Sequence, residues 1–190
     1  MTNRFQEIFD RQKEHFLTDA TKGYAWRIVQ LDRMERMLIE NKAAFCAALY
    51  EDFGKPPFEQ LFEITVPTGV IRHYHENLAV LMAPESVRLP KGLEDTGNRG
   101  VIYKEPYGVT LVIGPFNAPI LLLLDPAIAA LAAGNTVILK PANTTPATAA
   151  LLQKAQPARA LERWRLALKE ASVRHRANFR RASAVLLSES

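Results

Sequence analysis

Two short loops, each directly after an apolar run, carry the side chains best suited to chemistry: Asn117, Lys140 and Asn143. The apolar runs and the loops that follow them are 109–113 (VTLVI) with 114–117 (GPFN), and 136–139 (TVIL) with 140–143 (KPAN). Amide and ammonium groups donate hydrogen bonds. In parallel sheets, ligands bind in the crevice beyond the carboxyl ends of the strands. The loops therefore predict a ligand site at one edge of such a sheet.

The elements around these loops predict an α/β fold. The runs are apolar on both faces, and the stretch between them is apolar all round and ends at residues 134–135 (GN). Strands that are apolar on both faces and joined by a buried helix are typical of a parallel sheet covered on both sides. Within that stretch, Asp125-Pro126 predicts a kink or a new helix start.

The strings EPYGV, IGPFNAP and AAGNTVILKPA-xx-TP, in this order within residues 105–146, resemble the NAD(P)-dependent aldehyde dehydrogenase superfamily. Residues 49–56 (LYEDFGKP) and the helix that follows resemble its N-terminal region. Only a short N-terminal segment, without a long extension, precedes them, and this is similar to the class 3 or coniferyl-aldehyde branch. The resemblance covers residues 3–155. It implies an incomplete Rossmann-like parallel sheet with N-terminal helices.

The resemblance also implies roles for the two loops. Asn117 would donate its side-chain amide to the oxyanion that forms when a cysteine thiolate attacks an aldehyde. Lys140 would bond a ribose hydroxyl of NAD or NADP. The position of Asn143 is a glutamate in many NAD-preferring relatives, and a neutral amide does not repel a 2′-phosphate, so both cofactors stay open. The residues implied to bind cofactor are Ile113, Gly114, Pro115, Phe116, Lys140, Pro141, Ala142 and Asn143.

Simpler roles exist for the same side chains. Asn117 precedes an apolar helix and could be its N-cap. Lys140 could be a solvated lysine after a strand. Cys46, the single cysteine, lies in an apolar helical stretch and is predicted to be a small buried hydrophobe. His73 and His75 are two residues apart and do not share a helix face, so no metal site is predicted.

Four further pieces of the family's machinery are not found in this sequence. They are a Gly-Ser string at a helix start, a general-base glutamate, the nucleophilic cysteine and a second ribose-binding glutamate. The chain is therefore expected to be inactive alone and to bind NAD or NADP weakly or not at all.

The composition bounds the class of protein. A chain of 190 residues with 48% hydrophobic and 23% charged residues is typical of a soluble globular domain. One cysteine fits a reducing compartment, and the cytoplasm is the predicted location. The N-terminus lacks the apolar core of a signal peptide, and no apolar run approaches the ~20 residues of a membrane span.

The basic charge belongs to residues 156–190. They hold eight Lys or Arg and three Glu, a net charge of +5, whereas residues 1–155 hold 16 basic and 17 acidic residues. The tail resembles nothing in the family, and the spacing of Leu161, Trp164, Leu168 and Val173 predicts a basic amphipathic helix. Such a helix could contact nucleic acid or an anionic surface. The alternative, an incidental sequence after a rearranged gene end, is favoured, so nucleic acid is not the predicted partner.

The rest of the chain is predicted to be mainly helical, over residues 3–20, 24–51, 57–82 and 146–155. Residues 84–108 are turn-rich, and the resemblance implies that strands there join an oligomerisation sheet. The leading hypothesis is the N-terminal part of an aldehyde-oxidising oxidoreductase, acting as a homo-oligomer or paired with another chain. The alternative is a non-catalytic interaction or oligomerisation protein derived from that family.

Overall fold

The computed structural model describes residues 4–93, 96–155 and 164–166, which form helices around two small sheets. The helices are α1 (Arg4–Leu17), α2 (Tyr24–Glu40), α3 (Lys42–Phe53), α4 (Pro57–Met82), α5 (Leu121–Ala132) and α6 (Pro146–Ala155). The strands are β1 (Glu85–Val87), β2 (Gly100–Ile102), β3 (Val109–Ile113), β4 (Thr136–Lys140) and β5 (Trp164–Leu166).

The N-terminal helices follow their predicted positions with one difference. A single helix was predicted over 24–51, but α2 and α3 are separate and meet at Asn41 (φ −106°, ψ 15°). The Asn41 amide donates to the carbonyl of Met37 at 2.9 Å, and asparagine competes with helical hydrogen bonding in this way. The chain turns at the end of α3, where Gly54 has a left-handed conformation (φ 65°), and α4 begins with Pro57 at its first position.

The larger sheet confirms the predicted parallel arrangement. Its strand order is β3-β4-β5, and both pairings are parallel. Val137 and Leu139 of β4 belong to the main core, whereas Ile138, on the opposite face, packs with Ile8 of α1. Both faces are therefore covered, which explains why the strand is apolar throughout.

The main core lies where α2, α4 and α5 pack together. Fully buried side chains from these three helices include Leu31, Met34, Leu38, Ile71, Leu78, Leu123, Leu124 and Ile128. Burying each such side chain contributes about 1.5–3 kcal/mol. This core holds α5, and thus the loop before it, against the N-terminal helices.

Of the two alternatives predicted at Asp125-Pro126, a kink or a new helix start, the new helix start is wrong, since α5 is one helix from Leu121 to Ala132 with Pro126 inside it. Pro126 removes one backbone hydrogen bond. Ala127 and Ile128, which follow it, are completely buried. We infer that this packing outweighs the lost bond.

The described part of the tail differs from the helix predicted for it. Trp164–Leu166 is β5, which pairs with Val137–Leu139 of β4. A strand forms here because β4 offers an unpaired edge that a helix cannot satisfy. The other residues of the predicted tail helix, including Leu161, Leu168 and Val173, lie outside the described residues.

The smaller sheet is the antiparallel pair β1-β2, with Ser86 opposite Val101. It falls within residues 84–108, where strands were predicted. All its residues are exposed except Gly100, which is half-buried. Among the helices described, none combines the length and apolar character needed to cross a membrane.

Candidate functional site

The two predicted loops lie side by side because β3 and β4 are parallel and in register. Ile113 pairs with Lys140 at the carboxyl ends of both strands. The amide of Gly114 donates to the carbonyl of Lys140 at 2.9 Å, which carries the pairing one residue into the loops. Residues 114–117 and 140–143 therefore leave the sheet from the same edge.

The loop after β3 packs closely onto α5. A Cβ at Gly114 would lie 3.0 Å from Cβ of Leu123, so a larger residue there would push the loop from the helix. Pro115 is half-buried, whereas Ile113 and Phe116 are 68% and 64% exposed. The loop thus presents apolar surface and the exposed Asn117 at the sheet edge.

Asn117 is not the N-cap of α5. The cap is Ile120, whose hydrocarbon side chain forms no cap bond, and a distant residue takes the amides at the helix start. Glu63 Oε2 accepts hydrogen bonds from the amides of Ile120 at 2.8 Å and Leu121 at 3.4 Å. The Asn117 side chain is exposed and has no capping role.

Lys55 holds the same loop by its backbone. Its ammonium group bonds the carboxylate of Glu63 and donates to the carbonyl oxygen of Asn117 at 2.8 Å. Lys55 is 5% exposed and Glu63 1%. Both residues fall in the family-like segment that begins at residue 49, but the sequence analysis assigned neither of them a role.

Lys140 turns back onto its own loop. Its ammonium donates to the carbonyl of Pro141 at 2.6 Å and to Oδ1 of Asn143 at 2.8 Å. Burial lowers the pKa of Lys140. Pro141 is buried, Ala142 half-buried and Asn143 exposed. Lys140 is therefore bonded within its own loop rather than freely solvated. Its ammonium lies beside the exposed amide of Asn143.

A second carboxylate, also not identified from the sequence, anchors the helix after this loop. Asp52, at the end of α3, accepts hydrogen bonds from the amides of Ala147 and Thr148, both at 2.9 Å. A carboxylate at a helix N-terminus satisfies free amides and complements the helix dipole. The N-terminus of α6 is therefore occupied from within the protein.

Two further titratable groups, Asp125 on α5 and Tyr74 on α4, are perturbed by burial. Burial raises the pKa of Asp125, and burial together with the nearby Asp125 raises the pKa of Tyr74 on α4.

The remaining candidates are placed as follows. Cys46 is half-buried in α3 and packs against the main core. His75 Nε2 lies 3.2 Å from Oδ1 of Asp32, and His73 Nδ1 lies 3.3 Å from the amide of Asn77. Within the described ranges, no group of three His, Cys, Asp or Glu could hold a metal ion.

Comparison with known proteins gives a family for this architecture. Residues 5–161 match the model of the Aldehyde dehydrogenase family, which extends past the boundary predicted at 155. The chain is 38% identical over 148 residues to aldehyde dehydrogenase family 3 member I1, chloroplastic, of Arabidopsis thaliana, covering 77% of this chain and 26% of the relative. It is 37% identical over 155 residues to the 4,4'-diapolycopene-4,4'-dial dehydrogenase of Cytobacillus firmus, covering 80% of this chain and 34% of the relative.

A solved structure has the same fold. The substrate-bound state of Staphylococcus aureus AldH superimposes with a TM-score of 0.83 at 29% identity, covering 91% of this chain and 37% of that chain. The chain thus spans between a quarter and two fifths of the length of these three proteins. The family match begins in α1 and includes both loops, so the chain belongs to the aldehyde dehydrogenase family.

Proposed function

We propose that this chain supplies the oxyanion donor and the adenosine-ribose contacts of an NAD(P)-dependent aldehyde dehydrogenase. The observation that carries the proposal is the register of β3 and β4, which brings Asn117 and Lys140 to one sheet edge. The chemistry is addition of a thiolate to the carbonyl carbon of an aldehyde, and the carbonyl oxygen then takes the negative charge.

Asn117 is suited to stabilise that charge. Its side chain is exposed at the sheet edge while its backbone is held by Lys55. A donor fixed in advance toward a developing oxyanion lowers the barrier by about 2.7–4 kcal/mol. The thiolate is proposed to come from outside these residues, because Cys46 packs against the core on α3.

The loop after β4 is suited to a ribose. Lys140 presents an ammonium donor and Asn143 an exposed amide, and both can bond hydroxyl groups. NAD(P), when bound, accepts the hydride of the reaction. Asn143 carries no negative charge, so the 2′-phosphate of NADP meets no repulsion from it, and the proposal includes both cofactors.

The aldehyde is proposed to have an apolar body. Ile113 and Phe116 expose apolar surface in the same loop as Asn117, and the relative from Cytobacillus firmus is named a 4,4'-diapolycopene-4,4'-dial dehydrogenase. The exposed β1-β2 pair is proposed to join the sheet of another copy, since its apolar Val101 and Ile102 face outward.

We also propose that the protein acts in a reducing compartment such as the cytoplasm.

Dinucleotide binding by the 190-residue chain is expected to be weak. These residues supply ribose contacts, but Glu63 and Asp52 already occupy the starts of α5 and α6, the helices that follow the two loops. The dissociation constant should therefore be about 1 mM or higher, or ~4 kcal/mol of binding. Titration with NAD and NADP, followed by NMR shifts of residues 140–143, measures it. Lys140→Ala should weaken binding, whereas Lys154→Ala, an exposed lysine on α6, should not. A micromolar constant by calorimetry would contradict this expectation.

No NAD(P)-dependent oxidation of aldehydes is expected from the chain alone. A nucleophile and its general base act as a unit, and removing one abolishes most of the rate. Aliphatic and aromatic aldehydes would be assayed by cofactor reduction, with Cys46→Ala as the matched control. Turnover that disappears in Cys46→Ala would show that Cys46 is a nucleophile and that the proposed division of the site is wrong.

A further inference from the structure

We propose that the buried pair Lys55–Glu63 is a positioning device for the Asn117 loop, which fixes the loop at two points so that the Asn117 amide stays aimed out of the sheet edge. The inference rests on the proposed function, in which Asn117 is the oxyanion donor. Neither residue touches the reacting atoms, so both are positioning residues.

Lys55 is itself held on several sides. Its carbonyl accepts a hydrogen bond from the side-chain amide of Gln60, and its ammonium lies 5.2 Å from the centre of the Phe53 ring. Glu59 approaches the ammonium at 3.9 Å from the solvent side. With its stem buried and its head surrounded, Lys55 presents its ammonium to the Asn117 carbonyl from a fixed place.

Glu63 fixes the other end of the same segment. One carboxylate oxygen bonds Lys55, and the other accepts the amides of Ile120 and Leu121. The ion pair therefore spans from the carbonyl of residue 117 to the first amides of α5. A shift of Asn117 relative to α5 would break at least one of these bonds.

Energetics favour positioning over stability as the reason for this pair. Burying two charges costs several kcal/mol per ion, and well-packed apolar residues are often as stable or more so. An apolar pair could fill the space between α4 and α5, but it could not satisfy the Asn117 carbonyl or the Ile120 amide. A misplacement of about 1 Å in such a donor can cost on the order of a hundredfold in rate.

Amide hydrogen exchange in the full chain, followed by NMR, tests the device directly. Lys55→Met and Glu63→Gln are expected to accelerate exchange at Ile120 and Leu121 by about tenfold to a hundredfold more than at the α2 core amides, since bonds to charged groups are lost. The side-chain amide signal of Asn117 should shift as well. Lys55→Arg, which keeps the charge and the donors, should restore most of the protection.

Two controls separate positioning from stability. Glu76→Gln removes an exposed carboxylate farther along α4, and it should leave exchange at Ile120 unchanged. The double variant Lys55→Met/Glu63→Leu should recover part of the global stability while the loop amides stay unprotected. If Lys55→Met does not fold, Glu63→Gln supports the same comparison.

The inference would be overturned if Ile120 and Leu121 accelerate only by the factor seen in the α2 core, because the pair would then act on global unfolding alone. Failure of the proposed function looks different. In that case neither NAD nor NADP would cause shifts at residues 140–143 of the unsubstituted chain, whatever the exchange pattern around Asn117.

Discussion

Replacing Lys55 by methionine is expected to lower the free energy of unfolding by about 3–5 kcal/mol, because the carboxylate of Glu63 is left buried without its cation. Glu63 is 1% exposed, so water cannot take the place of the ammonium. A loss of this size is a large share of the 5–15 kcal/mol that stabilises an ordinary domain. Urea denaturation near neutral pH, followed by helical circular dichroism, measures it.

Lys13→Met is the matched control, because Lys13 is an exposed lysine on α1 and the same change there should fall within about 0.5 kcal/mol of the unsubstituted chain. A double-mutant cycle with Glu63→Leu gives the coupling energy between the two side chains. Equal effects of Lys55→Met and Lys13→Met would mean that water reaches Glu63, and the pair would not be a buried one.

Shortening the chain to residues 1–155 is expected to cause association. β5 is hydrogen-bonded along Val137–Leu139 of β4, and its removal opens an edge whose side chains are buried and apolar. An open, apolar and regular strand edge pairs with another chain. Sedimentation velocity should show dimers or larger species at concentrations where the 190-residue chain sediments as a smaller one.

A chain ending at residue 166 is the control for this experiment, since it keeps β5 and lacks the residues after it. It should sediment like the 190-residue chain. If residues 1–155 form a monomer that unfolds cooperatively, then β5 does not protect β4, and the sheet edge is stable in water without it.

The elements near the two loops could be predicted because their signals are local. β3, α5 and β4 are set by short apolar runs and by glycine or proline at their ends. The break at Asn41 was not predicted, because one asparagine side chain outweighed a helical pattern on both sides of it. The uninterrupted α5 was not predicted either, because packing from other helices decides whether Pro126 ends a helix.

The groups that hold the candidate site could not be predicted from the sequence. Lys55 bonds a carbonyl 62 residues away, Glu63 an amide 57 residues away, and Asp52 an amide 95 residues away. No periodicity or short motif records a contact of that separation. The strings around the loops implied roles for the loop residues, whereas the family-like string at 49–56 and the helix after it implied no role for Asp52, Lys55 or Glu63.

The two helix starts that the protein's own carboxylates occupy limit which molecules can be designed against this edge of the sheet. A helix N-terminus ordinarily attracts phosphate, sulfate or carboxylate. Here Glu63 occupies the start of α5 and Asp52 the start of α6, so the amides that an anionic inhibitor would seek are already bonded. A compound that approaches these helices should therefore be neutral or cationic on that side and reserve its acidic groups for the ammonium of Lys140.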